Sequence, residues 1–335
     1  MQPSRKWALF RCNRRAWYSL WIFGIIFSLS IFSELIANDR PLLVQFRGAW
    51  VSPLVQTYPE TYFGGEFETE ADYRDPFVQK LIEPEGRIIW PLLRFDYRTI
   101  NRDAAHHPSP PHAENPLGTD DQGRDVLARI LYGFRNSVLF GLIVTLVATV
   151  IGVMAGAVQG YFGGWIDLIF QRVVEMWGQV PQLFLIMIIA SIVTPSFWML
   201  VILITAFSWT SFVGIVRAEF LRVRNFEYVL AAKALGVKDR MIIWRHILPN
   251  AMVATLTFLP FTLAASVSEL AALDFLGFGL PSGSPSLGEL ALQARRNLQA
   301  PWLGAAAFVA LALTLSLLVF IFEGVRDAFD PRKAR

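Results

Sequence analysis

A single cysteine, Cys12, excludes any disulfide within the chain and with it a cystine-stapled scaffold. No lysine follows a glycine anywhere, so the phosphate-cradling loop G-x-x-x-x-G-K-S/T is missing and ATP hydrolysis by that route is excluded. Gly277, Gly279 and Gly283 have the wrong spacing for a dinucleotide turn. No nucleophile stands at a defined spacing from a base, so no enzyme active site is expected. Charge is scarce too: 17% of the 335 residues are charged and 54% are hydrophobic. A soluble domain carries roughly 25% charged residues, so this chain lacks the polar material to cover a water-facing surface. Disorder is excluded by the same shortage together with 14% aromatic residues.

What is present is hydrophobic sequence in long runs. Six stretches reach, or nearly reach, the roughly 20 apolar residues a helix needs to cross a bilayer. The first is 17–37, an uncleaved anchor with Glu34 near its far end. The second is 137–161, the fourth 197–216, the fifth 250–275 with Pro260 as an expected kink, and the sixth 302–322. The third is too short on its own, because its dense apolar run covers only 183–193. It is expected to recruit 165–181 as an amphipathic elbow entering the bilayer obliquely, with Arg172 and Glu175 spaced to pair. The architecture implied is an all-α polytopic membrane protein.

The basic residues orient it. Arg5, Lys6, Arg11, Arg14 and Arg15 precede the first span, and Arg326, Arg332, Lys333 and Arg335 follow the last. Arg217, Arg222, Arg224, Lys233, Lys238, Arg240 and Arg245 crowd the segment between the fourth and fifth. Positive-inside bias puts all three segments, and so both termini, in the cytoplasm. The expected order is a tail over 1–16, a transmembrane helix over 17–38 and an outer insertion over 39–134. A core of five transmembrane helices over 135–325 and a tail over 326–335 complete it. In the insertion, 42–46 and 87–93 are candidate strands, and 122–134 is expected as an amphipathic helix on the outer membrane surface. His106, His107 and His112 lie among Pro108, Pro110 and Pro111, where a solvated loop explains them better than a metal site.

Two patterns concern packing and docking. Gly152, Gly156, Gly160 and Gly164 recur every fourth residue after Ala148, a face on which another helix can approach closely, within the chain or from a partner. In 217–249, an Ala-rich helix over 227–235 ends at Gly236, a natural left-handed terminator. A second helix is expected to start with Asp239 as N-cap and to end at Pro249. Two short helices meeting at a glycine form a knob that fits a groove on another protein; a plain loop is the alternative.

This segment resembles the EAA loop of ABC-importer permeases through Ala231, Ala232, Gly236, Ile247, Leu248 and Pro249. Leu230 stands where the family usually has Glu, and Leu270, beside Glu269, stands at a second usual glutamate. NPLGTDDQGRDVLARILYGFRNS from Asn115, GYFGGWID from Gly160, LDFLGFGLPSGSPSLGELALQARRNLQAPW from Leu273 and GVRDAFDPR from Gly324 resemble the dipeptide/oligopeptide (DppC/OppC-like) branch. That resemblance covers 115 to the C-terminus, and the insertion over 39–114 is much longer than in most members of the branch. With SELIANDRPLLVQFRGAW, FGGEFETEADYRDP and HHPSPPHAENPLGTD it resembles the Yej-type peptide permeases, and there the resemblance spans nearly the whole chain.

That resemblance implies the type I ABC-importer (MetI-like) permease fold in a bacterial inner membrane, with a periplasmic insertion of short strands and helix. It implies one permease half of an ATP-driven importer of oligopeptides, peptide antibiotics included, working by alternating access. The implied partners are a homologous second permease, an ABC ATPase (separate or fused double) that holds ATP and Mg, and a periplasmic peptide-binding protein. This chain would bind no cofactor and no nucleic acid. Ala231, Ala232, Lys233, Ala234, Leu235 and Gly236 would form the coupling helix that docks on the ATPase, with Arg222, Arg224 and Glu227 at its rim. Intramembrane carboxylates are pathway candidates by default, here Glu269 and Asp274. The same two acids keep a rival open, a proton-coupled secondary transporter; a membrane-anchored enzyme acting on peptides is a third reading.

Overall fold

In lipid every backbone N–H and C=O must be satisfied within its own segment, and helix is this chain's solution. The computed structural model describes residues 3–84, 86–102, 104 and 106–329, residues 3–6 by backbone alone. The side chains of Arg5 and Lys6, and the tail residues Arg332, Lys333 and Arg335, lie outside the described residues. In chain order the elements are α1 (Pro3–Cys12), α2 (Arg14–Ile31), α3 (Ser33–Ile36), β1 (Leu43–Phe46), β2 (Ala49–Val51), α4 (Pro76–Ile82) and β3 (Arg87–Ile89). There follow α5 (Val126–Phe162), α6 (Gly164–Gly178), α7 (Gln182–Ile192), α8 (Phe197–Val223), α9 (Glu227–Ala234), α10 (Asp239–Met241), α11 (Leu248–Leu276), α12 (Leu287–Arg296) and α13 (Pro301–Phe329).

Among the described residues four helical runs are long and apolar enough to cross a membrane: α5, α8, the run Asp239–Leu276 and α13. The pair α6 and α7, bent by 64° at a break that ends on Pro181, makes a fifth if it is one broken span, and the bend lies where the elbow was expected. Arg172 and Glu175 pair on it at 2.7 Å. The first expected span is helical as α2, a turn at Phe32 and then α3, its apolar character diluted by Arg14 and Arg15. The amphipathic helix expected over 122–134 is not separate. Its residues from Val126 onward are the first turns of α5. Ser196 caps α8 by accepting from the Met199 N–H, and α8 runs to Val223, past its expected end. Pro260 lies inside α11, which continues through it.

The chain divides into two units, each described by itself. The first comprises 1–24, 137–281 and 312–335. Its organising contact is α5 against α8. A β-carbon at Gly152 would fall 2.5 Å from the Trp209 carbonyl oxygen, and one at Gly156 would fall 2.8 Å from that of Val213. One at Gly160 would strike Phe220 Cβ. The glycine face therefore serves packing within the chain. Gly164 is not on it: its φ is +55° and it opens α6. Arg217 of α8 forks onto Asp167 of α6, Nη2 to Oδ2 at 2.7 Å, tying the elbow to α8.

The second unit comprises 25–136 and 282–311. Its sheet has the order β2-β1-β3, all antiparallel, with Val44 opposite Val51 on one side and Ile88 on the other. The strand β2 had no signal of its own in the sequence beyond its turn. Arg47 and Gly48 both have positive φ (48° and 81°), the two-residue hairpin turn whose twist matches its strands. Under the sheet Val44, Phe46, Phe63, Tyr73, Val78 and Ile82 are buried together, Phe63 meeting Phe46 and Tyr73 edge-on.

The seam makes a direct prediction. Gly156→Leu drives a side chain into the α8 backbone, a strain of about 1–3 kcal/mol or more, and lowers the melting temperature of the detergent-solubilised protein. Gly24→Leu, at a position with no atom near its Cβ, serves as control and leaves it unchanged.

Candidate functional site

The segment after α8 folds as a knob whose stop signal is Gly236. The Gly236 N–H donates to the Lys233 carbonyl at 3.0 Å and the Val237 N–H to the Ala232 carbonyl at 3.1 Å, the paired bonds of a Schellman motif. That closure requires the left-handed conformation Gly236 adopts, φ +74°. The inner face of α9 buries Val229 and Ala232 against Val216, Phe220 and Val223 of α8, Ala157 and Tyr161 of α5, and Ile242 and Ile247. The outer face leaves Leu230, Ala231, Ala234, Leu235 and Gly236 exposed, Leu235 at 84%. The knob is thus an exposed apolar tip on a buried base.

The second half of the knob differs from expectation. Lys238, not Asp239, occupies the N-cap position, and Asp239 accepts instead from the Tyr161 hydroxyl. The helix does not stop at Pro249. A π-helical stretch, Ile242–Ile247, carries α10 into α11. Proline supplies no N–H, and its ring crowds the carbonyl four residues back; one wider turn ahead of it relieves both.

The charged residues of the knob face different ways. Arg224 Nη1 donates to the carbonyls of Gly160 (3.1 Å) and Tyr161 (3.4 Å), closing the C-terminal end of α5. Lys233 lies over the Tyr161 ring at 4.7 Å. Arg222 pairs with Glu219 and lies over Phe226, while Glu227 is exposed in the first turn of α9, where the helix dipole favours an acid. Thus Arg222 and Glu227 flank the tip and Arg224 and Lys233 brace it from behind.

The two pathway candidates are placed apart in role. Glu269 accepts from the Gln182 amide of α7. Asp274 is buried, and its Oδ1 accepts from the Leu280 N–H at 2.7 Å, organising the turn after α11. Leu270 is buried in an apolar cluster with Phe140, Ile186 and Leu200, whereas Leu230 is exposed on the knob. Among the histidines, His112 Nδ1 lies 3.0 Å from the Pro110 carbonyl and the His107 ring packs on Gly123.

The second unit holds a site that sequence spacing did not reveal. Arg129 is fully buried; its Nη1 donates to the Tyr97 carbonyl at 3.1 Å, and its Nη2 to the Ser284 carbonyl and to Glu289. Asp120 pairs with Arg124 at 2.7 Å and lies 3.4 Å from Arg129. The motifs beginning at Asn115 and Leu273 are therefore joined by one guanidinium. Asp125 accepts from the Ala128 N–H at the start of α5 and from Asn115, whose own amide oxygen accepts from Asn101 at 2.7 Å. Nearby, burial and then the adjacent Asp96 carboxylate raise the Asp39 carboxyl above its ordinary range, against the Thr99 hydroxyl and Arg40.

Two predictions follow from these charges. Arg129→Met leaves the Tyr97 and Ser284 carbonyls and one Glu289 oxygen without their donor. Arg124 still pairs with Asp120 and lies 3.5 Å from Glu289, so the cost is about 1–3 kcal/mol. Arg129→Lys rescues little because three acceptors need the fork. Thermal unfolding reads both. For Asp39, whose folded-state pKa lies above its unfolded value, the folded state holds the extra proton. Stability of the second unit is greatest with Asp39 protonated and declines as pH rises from near 3.8 through the raised value. In Asp39→Asn, hydrogen exchange of 43–63 loses that part of its pH slope; an unaltered slope would contradict the assignment.

The comparisons agree with this geometry. The chain matches the family described as binding-protein-dependent transport system inner membrane component over residues 131–335. It is 59% identical over 330 residues to the inner membrane ABC transporter permease protein YejE of Escherichia coli (strain K12), covering 98% of this chain and 97% of the relative. It is 51% identical over 354 residues to the peptidoglycan transport system permease protein YejE of Agrobacterium fabrum, covering 98% and 93%. With the dipeptide transport system permease protein DppC of Bacillus subtilis it shares 32% over 250 residues, covering 74% and 78%. Among solved structures, an inward-facing form of the MetNI methionine ABC transporter shares the fold, with a TM-score of 0.50 at 16% identity, over 60% of this chain and 97% of that one.

Proposed function

The chain belongs to the family of binding-protein-dependent transport system inner membrane components, and on that premise we propose that it is one permease half of an ATP-driven importer of short peptides. Relatives named for dipeptide, oligopeptide and peptidoglycan transport support the substrate class. The membrane would be a bacterial inner membrane, with the knob and both termini in the cytoplasm and the insertion in the periplasm. A homologous permease completes the pathway, a periplasmic binding protein delivers the peptide, and a separate ATPase subunit, single or fused double, holds ATP and Mg.

The observation that carries this reading is the knob. Its exposed tip, Leu230, Ala231, Ala234, Leu235 and Gly236, docks on the ATPase, while its base shares one core with the ends of α5 and α8. A push on the tip is then a push on α8 and, through the π-helical stretch, on α11. Those two helices pack on each other and tilt together, switching the cavity between the two sides. Proton coupling through Glu269 and Asp274 finds less support, because the Asp274 carboxylate is engaged by the Leu280 N–H.

Gly236→Val meets open space at its Cβ but is barred from φ +74° by its branched side chain. The tip is reshaped and the base kept. Peptide-stimulated ATPase and uptake by the reconstituted complex fall at least tenfold, while the four kinds of subunit still co-purify. Undiminished uptake in this variant would show that coupling does not pass through the knob.

A further inference from the structure

The motif beginning at Gly160 holds a contact that docking of the knob does not use. Tyr161 stands in the last turn of α5, 4% exposed, its ring in the apolar core with Val216, Phe220, Val229, Ile242 and Ile247. Three charged groups converge on this residue. Arg224 Nη1 donates to its carbonyl, the Lys233 ammonium lies 4.7 Å from its ring centroid, and its hydroxyl donates to Asp239 Oδ1. Neither Lys233 nor Asp239 has an ion-pair partner among the described residues. One ring therefore serves a cation on its face and an anion at its hydroxyl.

The place of Asp239 gives the contact its leverage. It opens α10, just ahead of the π-helical stretch Ile242–Ile247 that leads into α11. Around it the core is apolar, with Ala157 and Tyr161 against Ile242, Ile247 and Ala251. Apolar burial is non-directional, so it holds two elements together without fixing the angle between them. A hydroxyl bonded to a carboxylate is directional, and stronger than a neutral pair. It matters here because a π-helical turn is irregular and can take up a displacement by rewinding. Farther along, α5 meets α11 again, where a β-carbon at Gly141 would fall 2.8 Å from Leu263 Cδ1 and 2.9 Å from Val267 Cγ2. The two helices thus touch at two levels, and Tyr161 supplies the directional bond at the level of the knob.

We propose that Tyr161 is a positioning residue for transport: its bond to Asp239 fastens the head of the π-helical stretch to the end of α5, so that a push on the knob moves α5 together with α8 and α11. Without that bond the π-helical stretch takes up part of the push, and ATP is hydrolysed with less movement of the pathway. The hydroxyl touches neither peptide nor ATP and acts through Asp239 alone. This rests on the importer reading, and deepens it by naming the side chain that carries the push into α5.

The test uses the complete transporter in liposomes, with labelled alanine peptides of two to six residues as probes, and reads peptide imported per ATP hydrolysed. Tyr161→Phe keeps the ring, and with it the apolar core and the Lys233 contact, and lowers that ratio about threefold or more. Asp239→Ala, a change at an exposed position, lowers it to the same extent and decides alone where Tyr161→Phe fails to assemble. Asp239→Asn keeps an oxygen that accepts from the hydroxyl, and its ratio stays within about twofold of the unaltered chain. The double variant of Tyr161→Phe and Asp239→Ala is no worse than either single one, as two groups acting through one bond require. A contact that only stabilised the fold would lower ATP hydrolysis and uptake in proportion and leave the ratio unmoved. An unmoved ratio in either assembled single variant, or losses that add in the double, overturns the proposal. The unaltered transporter separates the two readings. ATP-dependent uptake alongside unmoved ratios refutes the role of Tyr161 alone; no uptake at any peptide length refutes the importer reading.

Discussion

Backbone touching backbone along α5 and α8 is the contact on which the first unit depends. Lipid offers no hydrophobic drive for helices to associate, so close van der Waals packing has to supply it. Gly152, Gly156 and Gly160 let α8 approach until the carbonyls of Trp209 and Val213 occupy the space a side chain would take. The same approach brings Tyr161, at the end of α5, beside the residues that follow α8. There Arg224 closes the last carbonyls of α5, Lys233 lies over the Tyr161 ring, and the Tyr161 hydroxyl donates to Asp239. The knob is held by the seam as much as by its own hydrogen bonds.

On the proposed coupling role, that arrangement would let a short helix bear force. An isolated helix the length of α9 is unstable in water, because nucleation outweighs so few bonds. Here its inner residues belong to the core that also holds α5 and α8, so the tip cannot move without them. The outer residues do the opposite. Leu230 and Leu235 expose apolar surface, each worth roughly 25 cal/mol per Å² once covered, which favours a docked partner over solvent. With Leu rather than Glu at position 230, the proposed docking would rely on apolar burial at this point.

Periodicity and spacing made much of this legible. The apolar runs placed the helices, the dense but short run at 183–193 called for an oblique partner, and Gly236 marked the turn it makes. Where the reading fell short, the deciding interaction was non-local. The residues over 122–134 have an amphipathic period either as a separate helix or as the start of α5, and only packing chooses: Gly133 lies against the backbone of Ser286 and Leu287. Asp239 resembles an N-cap until Tyr161, 78 residues away in sequence, takes its carboxylate. Asp39 and Thr99, 60 apart, meet only after the second unit has folded.

Arg129 shows how a family motif can be misjudged from sequence. In the run from Asn115 its charge looks like a surface residue on an amphipathic helix, yet it is fully buried. A guanidinium removed from water is stable only if most of its charge is met, and here two carbonyls and Glu289 accept from its Nη groups, with the Asp120 carboxylate 3.4 Å from Nε as a further ion pair. Replacing the cluster by apolar residues of similar volume need not cost stability, so stability alone does not account for it. Its geometric demand is different: a fork aimed at Tyr97, Ser284 and Glu289 accepts only one register of those three segments. Tyr97 and Thr99 are neighbours on one short stretch, and Thr99 bridges Asp39 and Asp96. The buried charge therefore fixes the register of that stretch, and with it the place of the Thr99 bridge between Asp39 and Asp96.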